Sequence, residues 1–352
     1  MKFFNLLKPF IYSLPPETAH NLAISALSRN LILKPRQFSD SILESTIAGI
    51  RFKNPVGLAA GFDKNAKAIN NLQKFNFGFI EAGTVTPRAQ PGNPKPRLFR
   101  LTNEKAIINQ MGFNNLGKEN FRQNYLKNNK IPNTPIGINI GKNKTTQSNV
   151  SDYIELLKCF YDIADYLTIN ISSPNTPNLR NIQKKGLLEE LLSSIHKETK
   201  ILTANLKKNT PIFLKISPDI SQNELQDICD LSLKYKIDAL IISNTTISRP
   251  HNITSNTSGG LSGAPLLSLS NHILKEIYKY TKGKIPLIGV GGISNAKQAY
   301  AKICLGASLI QIYSAFIFQG FNLTTEINKE LATLLRNDGF NNIKEAIGCK
   351  IK

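Results

Sequence analysis

Cysteine is scarce in this chain. The 352 residues hold four, Cys159, Cys229, Cys304 and Cys349, scattered and without a CxxC pair. That fits reduced thiols in a cytosolic protein, not a disulfide framework or a zinc site. Histidine is as sparse: His20, His196, His251 and His272 form no HxxxH or HExxH spacing, so no metal is expected. No apolar run approaches the roughly 20 residues of a membrane-spanning helix. The N-terminal stretch Met1 to Pro16 is apolar but short. Pro9, Pro15 and Pro16 cut it, and it lacks the small-residue cleavage site of a signal peptide. Acidic residues are also few, 24 against 44 Lys and Arg, for a net charge of +20 and a pI of about 9.7. Such a balance suits nucleic acid or an anionic membrane surface. AT-rich coding would produce the same excess of Lys, Asn and Ile, and no basic run interleaved with aromatics suggests a single-strand groove. No nucleic-acid partner is expected, and no 20–50-residue repeat is visible.

What is present is a rhythm. From about residue 50, apolar β-branched runs at Val56–Ala60, Phe79–Ala82, Ile136–Ile140, Tyr166–Ile171, Ile212–Ile216, Ala239–Ser243, Leu287–Val290 and Leu309–Tyr313 read as strands. Helical patterns lie between most of them, at Tyr153–Ala164, Leu187–Leu206, Gln222–Tyr235, Leu269–Tyr280 and Ala296–Cys304. Eight buried strands alternating with helices imply an α/β fold with a parallel sheet, and the number fits a closed (β/α)8 TIM barrel. An open doubly wound sheet would carry GxGxxG after its first strand; Ala59-Ala-Gly-Phe-Asp-Lys64 stands there instead. Ahead of the barrel, two short helices end at a linker around Lys34-Pro35-Arg36, with Leu22, Ala23, Ala26 and Leu27 on one face of the second. They either pack on the barrel or lie on a bilayer with Lys2, Lys8 and Arg29 near anionic headgroups. The expected division is a 1–38 helical segment and a 39–352 barrel with a C-terminal tail. Two connections are long: 84–135, read as functional, and 245–263, read as a mobile lid.

The strand ends carry the chemistry, as barrel active sites lie there. Asn139 and Asn170 interrupt matching Ile-Asn-Ile strings, and Lys215 sits inside an apolar strand. A buried ammonium or amide must find partners. The two asparagines either pair with each other or meet a heterocycle with alternating C=O and N–H groups, such as a flavin pyrimidine edge. Lys215 would then oppose the charge of a reduced flavin. Gly291-Gly292 after strand seven and Tyr313-Ser314 after strand eight occupy the usual phosphate site of such barrels, and Gly259-Gly-Leu-Ser-Gly263 offers another close backbone approach. Together they favour a phosphorylated cofactor such as FMN.

Several motifs then carry a resemblance. Ala60-Gly-Phe-Asp-Lys64, Gly83-Thr-Val-Thr-Pro87, Pro96-Arg-Leu-Phe-Arg100, Met111-Gly-Phe-Asn-Asn115, Asn170-Ile-Ser-Ser-Pro-Asn-Thr-Pro177, Ser243-Asn-Thr-Thr246, Gly289-Val-Gly-Gly-Ile293 and Gln311-Ile-Tyr-Ser314 resemble the quinone-dependent class 2 dihydroorotate dehydrogenases. The resemblance implies oxidation of dihydroorotate to orotate, FMN as hydride acceptor, ubiquinone as final acceptor, and a place in pyrimidine biosynthesis. It implies FMN contacts at Ala60, Gly61, Thr84, Asn139, Asn170, Lys215, Ser243, Gly263, Gly292, Tyr313 and Ser314. Orotate would meet Lys64, Asn109, Met111, Gly112, Phe113, Asn170, Asn175, Asn244 and Thr245. Ser173 would be the base, where class 1 relatives use cysteine. His20, Arg100 and Tyr313 would lie near the quinone entrance formed by the N-terminal helices. It further implies a monomer held peripherally on the cytoplasmic side of the cell inner membrane. Family members usually have arginine where Gln110 stands, and arginine or lysine where Ala264 stands. A second FMN barrel, the tRNA dihydrouridine synthase type, resembles the charge balance better. It carries a cysteine acid and a separate RNA-binding domain, neither of which matches here. A non-enzymatic membrane-surface or RNA-binding protein leaves the polar strand ends without a purpose.

Overall fold

The computed structural model describes residues 2–129, 134–251, 253 and 255–351, with side chains from Lys8 onward, so the side chain of Lys2 lies outside the described residues. Eight parallel strands close a barrel in chain order: β1 (Val56–Leu58), β2 (Phe79–Val85), β3 (Ile136–Ile140), β4 (Tyr166–Asn170), β5 (Ile212–Ile216), β6 (Ala239–Ile242), β7 (Leu287–Val290) and β8 (Ala307–Ile312). β8 returns to β1 with Ile310 opposite Val56. Every strand expected from the sequence is present. The differences are at the ends: Ala60, Ser243 and Tyr313 leave the ladder and belong to the turns above it.

Strand side chains alternate between two environments. Outward residues such as Ile80, Ile138 and Leu214 join the helices in one large core. Inward residues form layers. Near the N-terminal mouth, Phe79, Tyr166, Phe213 and Leu309 pack together, and the hairpin Ser45–Ile47/Ile50–Phe52 closes the mouth with Ile47 and Phe52. Tyr166 stacks on Phe213 at 4.4 Å between centroids. Gly57 and Gly137 make this layer possible: a Cβ at either would strike the ring of Phe79 or Tyr166. One layer higher, each inward position two residues on is polar: Glu81, Thr168, Lys215 and Gln311. The barrel is dry and aromatic below, charged above.

Helix α1 (Lys2–Ser13) runs through Pro9, which the sequence pattern marks as a break. The lost N–H forfeits one helix bond, yet the helix ends only before Pro15-Pro16, where the residue preceding a proline disfavours helical torsions. Helix α2 (Pro16–Ser28) starts on a proline, a position where its missing donor costs nothing. It is held at both ends: Glu17 in its first turn pairs with Arg97 at 2.7 Å, while at the other end Leu27 is buried in the main core and Asn71 Nδ2 donates to the Leu27 carbonyl at 2.7 Å. Leu22, expected on the packing face, is 54% exposed, and Phe10, Leu31 and Leu33 are exposed with it. No helix among the described residues is long and apolar enough to cross a membrane.

Both long connections fold over the top of the barrel. Residues from the first form a hairpin, Leu98–Leu101 with Ala106–Asn109, and a helix, Gly117–Asn128. The second supplies Gly260–Gly263, which pairs antiparallel with Ala106–Asn109 as a third strand. Ala106, Ile108, Ile253 and Leu261 give this sheet a small core of its own. After β8, the helix Leu323–Asn337 and a tail with buried Ile343 and Ala346 pack against the barrel, and Arg336 pairs with Asp40 at 2.8 Å.

Candidate active site

A hydrogen-bonded floor lies where the barrel interior turns polar. Glu81 is its hub, with no exposed surface. Its Oε1 accepts from Asn139 Nδ2 at 2.7 Å and its Oε2 from Gln311 Nε2 at 3.0 Å and Thr168 Oγ1 at 3.1 Å. Lys215 Nζ stands 3.9 Å from Glu81 Oε1. Burial pushes the Lys215 ammonium down from its usual range, and Glu81 partly restores it. Asn139 Oδ1 accepts from Thr84 Oγ1 at 2.5 Å and from Asn170 Nδ2 at 3.0 Å. The two asparagines therefore do pair with each other, through one amide each. Asn139 is saturated by this pairing and lies beneath the cavity wall, off its lining, whereas Asn170 reaches that wall.

Above the floor opens a cavity of about 590 Å³. It gathers residues from every strand end but that of β3: Ala60, Gly61 and Lys64 after β1, Thr84 from β2, Asn170, Ser173 and Asn175 from the β4 turn, and Lys215 from β5. Ser243, Asn244 and Thr245 line it after β6, Gly292 after β7, and Tyr313 and Ser314 after β8. Asn109, Met111, Gly112, Phe113 and Gly263 reach it from the overlying sheet and its flanks. Of the residues anticipated from the sequence, Asn139 and Arg100 alone stand off the lining.

One side of the cavity is lined with amides. Asn175 Nδ2 donates to Asn109 Oδ1 at 2.9 Å, Asn109 Nδ2 to the Gly260 carbonyl at 3.2 Å, and Asn244 Nδ2 to Ser172 Oγ at 2.8 Å. Ser173 is buried, and its Oγ accepts from the Asn175 N–H at 3.3 Å. Thr176 Oγ1, on the same turn, is buried with no partner among the described residues. Lys64 supplies the positive charge here. Burial, with Arg97 nearby, pushes it down to about 8, against the pull of Glu17 and Asp63. Arg180 braces the turn from behind: its guanidinium donates to the carbonyls of Ser172 (2.9 Å) and Thr245 (2.8 Å) and pairs with Asp219 at 2.7 Å. Gln110 donates to the Ser258 carbonyl at 2.9 Å, tying the hairpin to the 245–263 connection. Ala264 presents only its backbone N–H, to the Lys105 carbonyl at 3.2 Å.

A second side is built of glycine. Gly291 and Gly292 have φ of +110° and +76°, and a Cβ on Gly292 would strike the backbone of Leu267. Ser314 Oγ lies 2.9 Å from Ser262 Oγ at the same end. The third side faces α1 and α2 and is aromatic. His20 meets Phe62 edge-on at 5.5 Å, Phe62 meets Tyr313 at 6.1 Å, and Tyr12 meets Phe318 at 6.3 Å. Arg100 lies over the Tyr12 ring at 4.5 Å and donates to its carbonyl, outside the cavity lining. Burial and the charge of Lys64 hold His20 down at about 3, so its imidazole is neutral at any physiological pH.

Sequence reasoning missed Glu81 and gave Gln311 no role. A signal existed: Glu81, Thr168, Lys215 and Gln311 each stand two residues after an inward Phe79, Tyr166, Phe213 or Leu309. Gln311 Oε1 and Thr245 Oγ1 are buried, lack partners among the described residues and belong to cavity-lining residues. Unpaired buried acceptors and donors of this kind call for a ligand.

Comparison with known proteins gives one consistent result. Residues 42–335 match the family described as Dihydroorotate dehydrogenase. The chain is 45% identical to the "Dihydroorotate dehydrogenase (quinone)" of Rhodospirillum rubrum over 98% of its length and 94% of that protein's. It is 41% identical to the mitochondrial quinone enzyme of Arabidopsis thaliana, over 97% of this chain and 80% of that one. The crystal structure of DHODH from Eimeria tenella in complex with ferulenol superposes with a TM-score of 0.90 at 37% identity, covering 97% and 98% of the two chains.

Proposed function

The chain belongs to the dihydroorotate dehydrogenase family and is a quinone-dependent flavoprotein oxidoreductase of pyrimidine biosynthesis, oxidising dihydroorotate to orotate; from that premise we propose that its flavin is FMN, its acceptor ubiquinone, and its station the surface of a membrane. The observation that carries the reading is the single cavity with three chemically distinct sides: amides and Ser173, a glycine turn, and an aromatic passage under the N-terminal helices.

The residues fit FMN. The glycine turn at Gly291-Gly292, the Ser314 hydroxyl and the Gly263 backbone suit its phosphate. Thr84, Asn170, Lys215 and the unpaired Gln311 Oε1 suit the polar edge of its ring, above Ala60 and Gly61. When bound, FMN supplies the acceptor for the hydride leaving C6 of dihydroorotate. The Lys215 ammonium favours negative charge on the ring beside it, and Glu81 opposes the loss of that charge on burial.

Dihydroorotate is held by its carboxylate at Lys64 and by its ring amides at Asn109, Asn170, Asn175 and Asn244, with Met111, Gly112, Phe113 and Thr245 enclosing it. Ser173 takes the C5 proton. A neutral hydroxyl is a weak base, so the proton must pass on to solvent water, and the unpaired Thr176 hydroxyl on the same turn is a group that could relay it there. On the other side, the lining between α1, α2, Phe318 and Tyr313 suits the tail and ring of ubiquinone, with His20 neutral and Arg100 beside Tyr12 at the entrance. Phe10, Leu22, Leu31 and Leu33 are exposed in this region, as is Arg29, while Lys8 is half-buried at the cavity mouth, an arrangement suited to peripheral binding of an anionic bilayer by a monomer. The test is a survey of acceptors with dihydroorotate as donor. Ubiquinone should be reduced rapidly, menaquinone, fumarate and NAD slowly or not at all; preference for fumarate or NAD would reject the quinone passage.

A further inference from the structure

Lys302 is a charge the reaction does not use. It lies on the helix Ala296–Cys304 with no exposed surface. Its Nζ donates to Ser270 Oγ at 2.7 Å and Asn271 Oδ1 at 2.8 Å, and no carboxylate among the described residues pairs with it. Both acceptors sit in the first turns of the helix Leu267–Thr281. A helix N-terminus carries partial positive charge, so this is an unfavourable place for a buried cation unless an anion shares it. Burial alone pushes the ammonium down to about 7.

Ser270 connects this ammonium to the cavity. Its hydroxyl lies 3.2 Å from the Gly291 carbonyl and 3.2 Å from that of Leu267. Gly292 is pressed against Leu267 itself. The glycine turn, the helix N-terminus and the Lys302 ammonium therefore converge from behind one side of the cavity. An anion seated on the turn would relieve the cost of all three at once. We infer that Lys302 is the buried counter-charge for the phosphate group of the flavin, a positioning residue that acts through Ser270 and the Gly291-Gly292 turn without touching the ligand.

The inference rests on the FMN reading above, and the test separates the two. Full-length chain stripped of flavin is titrated with FMN and with riboflavin, which lacks the phosphate. Lys302→Met, similar in volume and apolar, should weaken FMN about tenfold, the scale of one pKa unit of charge interaction, and leave riboflavin unchanged. FMN bound as tightly as in wild type, or both flavins weakened equally, would overturn it, the second result marking a merely structural lysine. Ser270→Ala provides the same comparison if Lys302→Met does not fold, with a smaller but still FMN-selective loss expected. A wild-type chain that bound neither flavin would sink the cofactor reading instead. Lys302 is then judged by inorganic phosphate, which must raise the Tm of wild type and not of the variant.

Discussion

The floor of the cavity and the cap over it are built on opposite principles. In the floor, Glu81, Asn139, Asn170, Thr84, Thr168 and Gln311 are locked by hydrogen bonds of 2.5 to 3.1 Å, and removing any partner strands another. The cap has little of this. Its polar anchors are Glu17 with Arg97, at 2.7 and 3.1 Å, and the Leu27 and Tyr12 carbonyls, which accept from Asn71 and Arg100; the rest of its contact is Leu27 and aromatic edges. Proton and hydride transfer require atoms fixed within fractions of an ångström. Admission of a water-insoluble acceptor requires a surface that yields. On the reading proposed above, the chain separates the two demands in space.

The sharpest test of that separation is Ser173→Ala. Flavin reduction by dihydroorotate in stopped flow should slow by about 10²–10⁴-fold, with reoxidation by quinone unchanged. An equal loss in both half-reactions would erase the distinction. Next in size, Glu81→Gln strips Lys215 of its buried partner and should cost about 3 kcal/mol in urea unfolding, whereas substitutions among exposed α1 residues should cost almost nothing. Third, removal of residues 1–13 leaves the docked Leu27 end of α2 in place. Losing burial of even two methylenes of a quinone tail costs about 1.6 kcal/mol. The apparent affinity for long-tailed ubiquinone should therefore fall roughly tenfold or more, while a soluble dye still accepts electrons and the helical circular dichroism falls by no more than the share of the deleted α1. Fourth, orotate binding should report Lys64. The cation is present below its pKa of about 8 and lost above it, so affinity should decline from pH 8 upward by about tenfold per unit, and Lys64→Met should flatten the profile. Smallest of all, the His20 resonance should not titrate between pH 5 and 8, because its pKa of about 3 lies below that window. A midpoint near 6.5 would mean that the cap is open to water.

The same contrast governs what could be read from sequence. Strand positions followed from apolar runs, and Asn139, Asn170 and Lys215 stood out as polar interruptions within them. Glu81 did not, because its partners come from strands that only barrel closure brings together; Gln311 is 230 residues away. The cap was legible as short helices, but not which face docks. Ala23, Ala26 and Leu27 predicted a stripe that included Leu22, and contacts at the two helix ends left Leu22 in solvent. Nothing local announced that the 98–109 and 245–263 segments would share a sheet. Lys302 looked like any helix-surface lysine, since spacing alone does not reveal that the face it occupies is covered by the helix Leu267–Thr281.

That three-stranded sheet has a consequence for the making of the protein. Asn109 and Gly260, bonded across it, are 151 residues apart in the chain. At synthesis rates of roughly 5–20 residues per second, the edge of Ala106–Asn109 leaves the ribosome about 8 to 30 seconds before the strand that covers it. Throughout that interval Ile108 and a row of backbone groups stand open to any extended segment nearby. The nascent chain is thus most vulnerable to mispairing at the point that will later cover the cavity. Slowed translation between residues 110 and 260 should raise the burden on chaperones more than the same delay placed after residue 263.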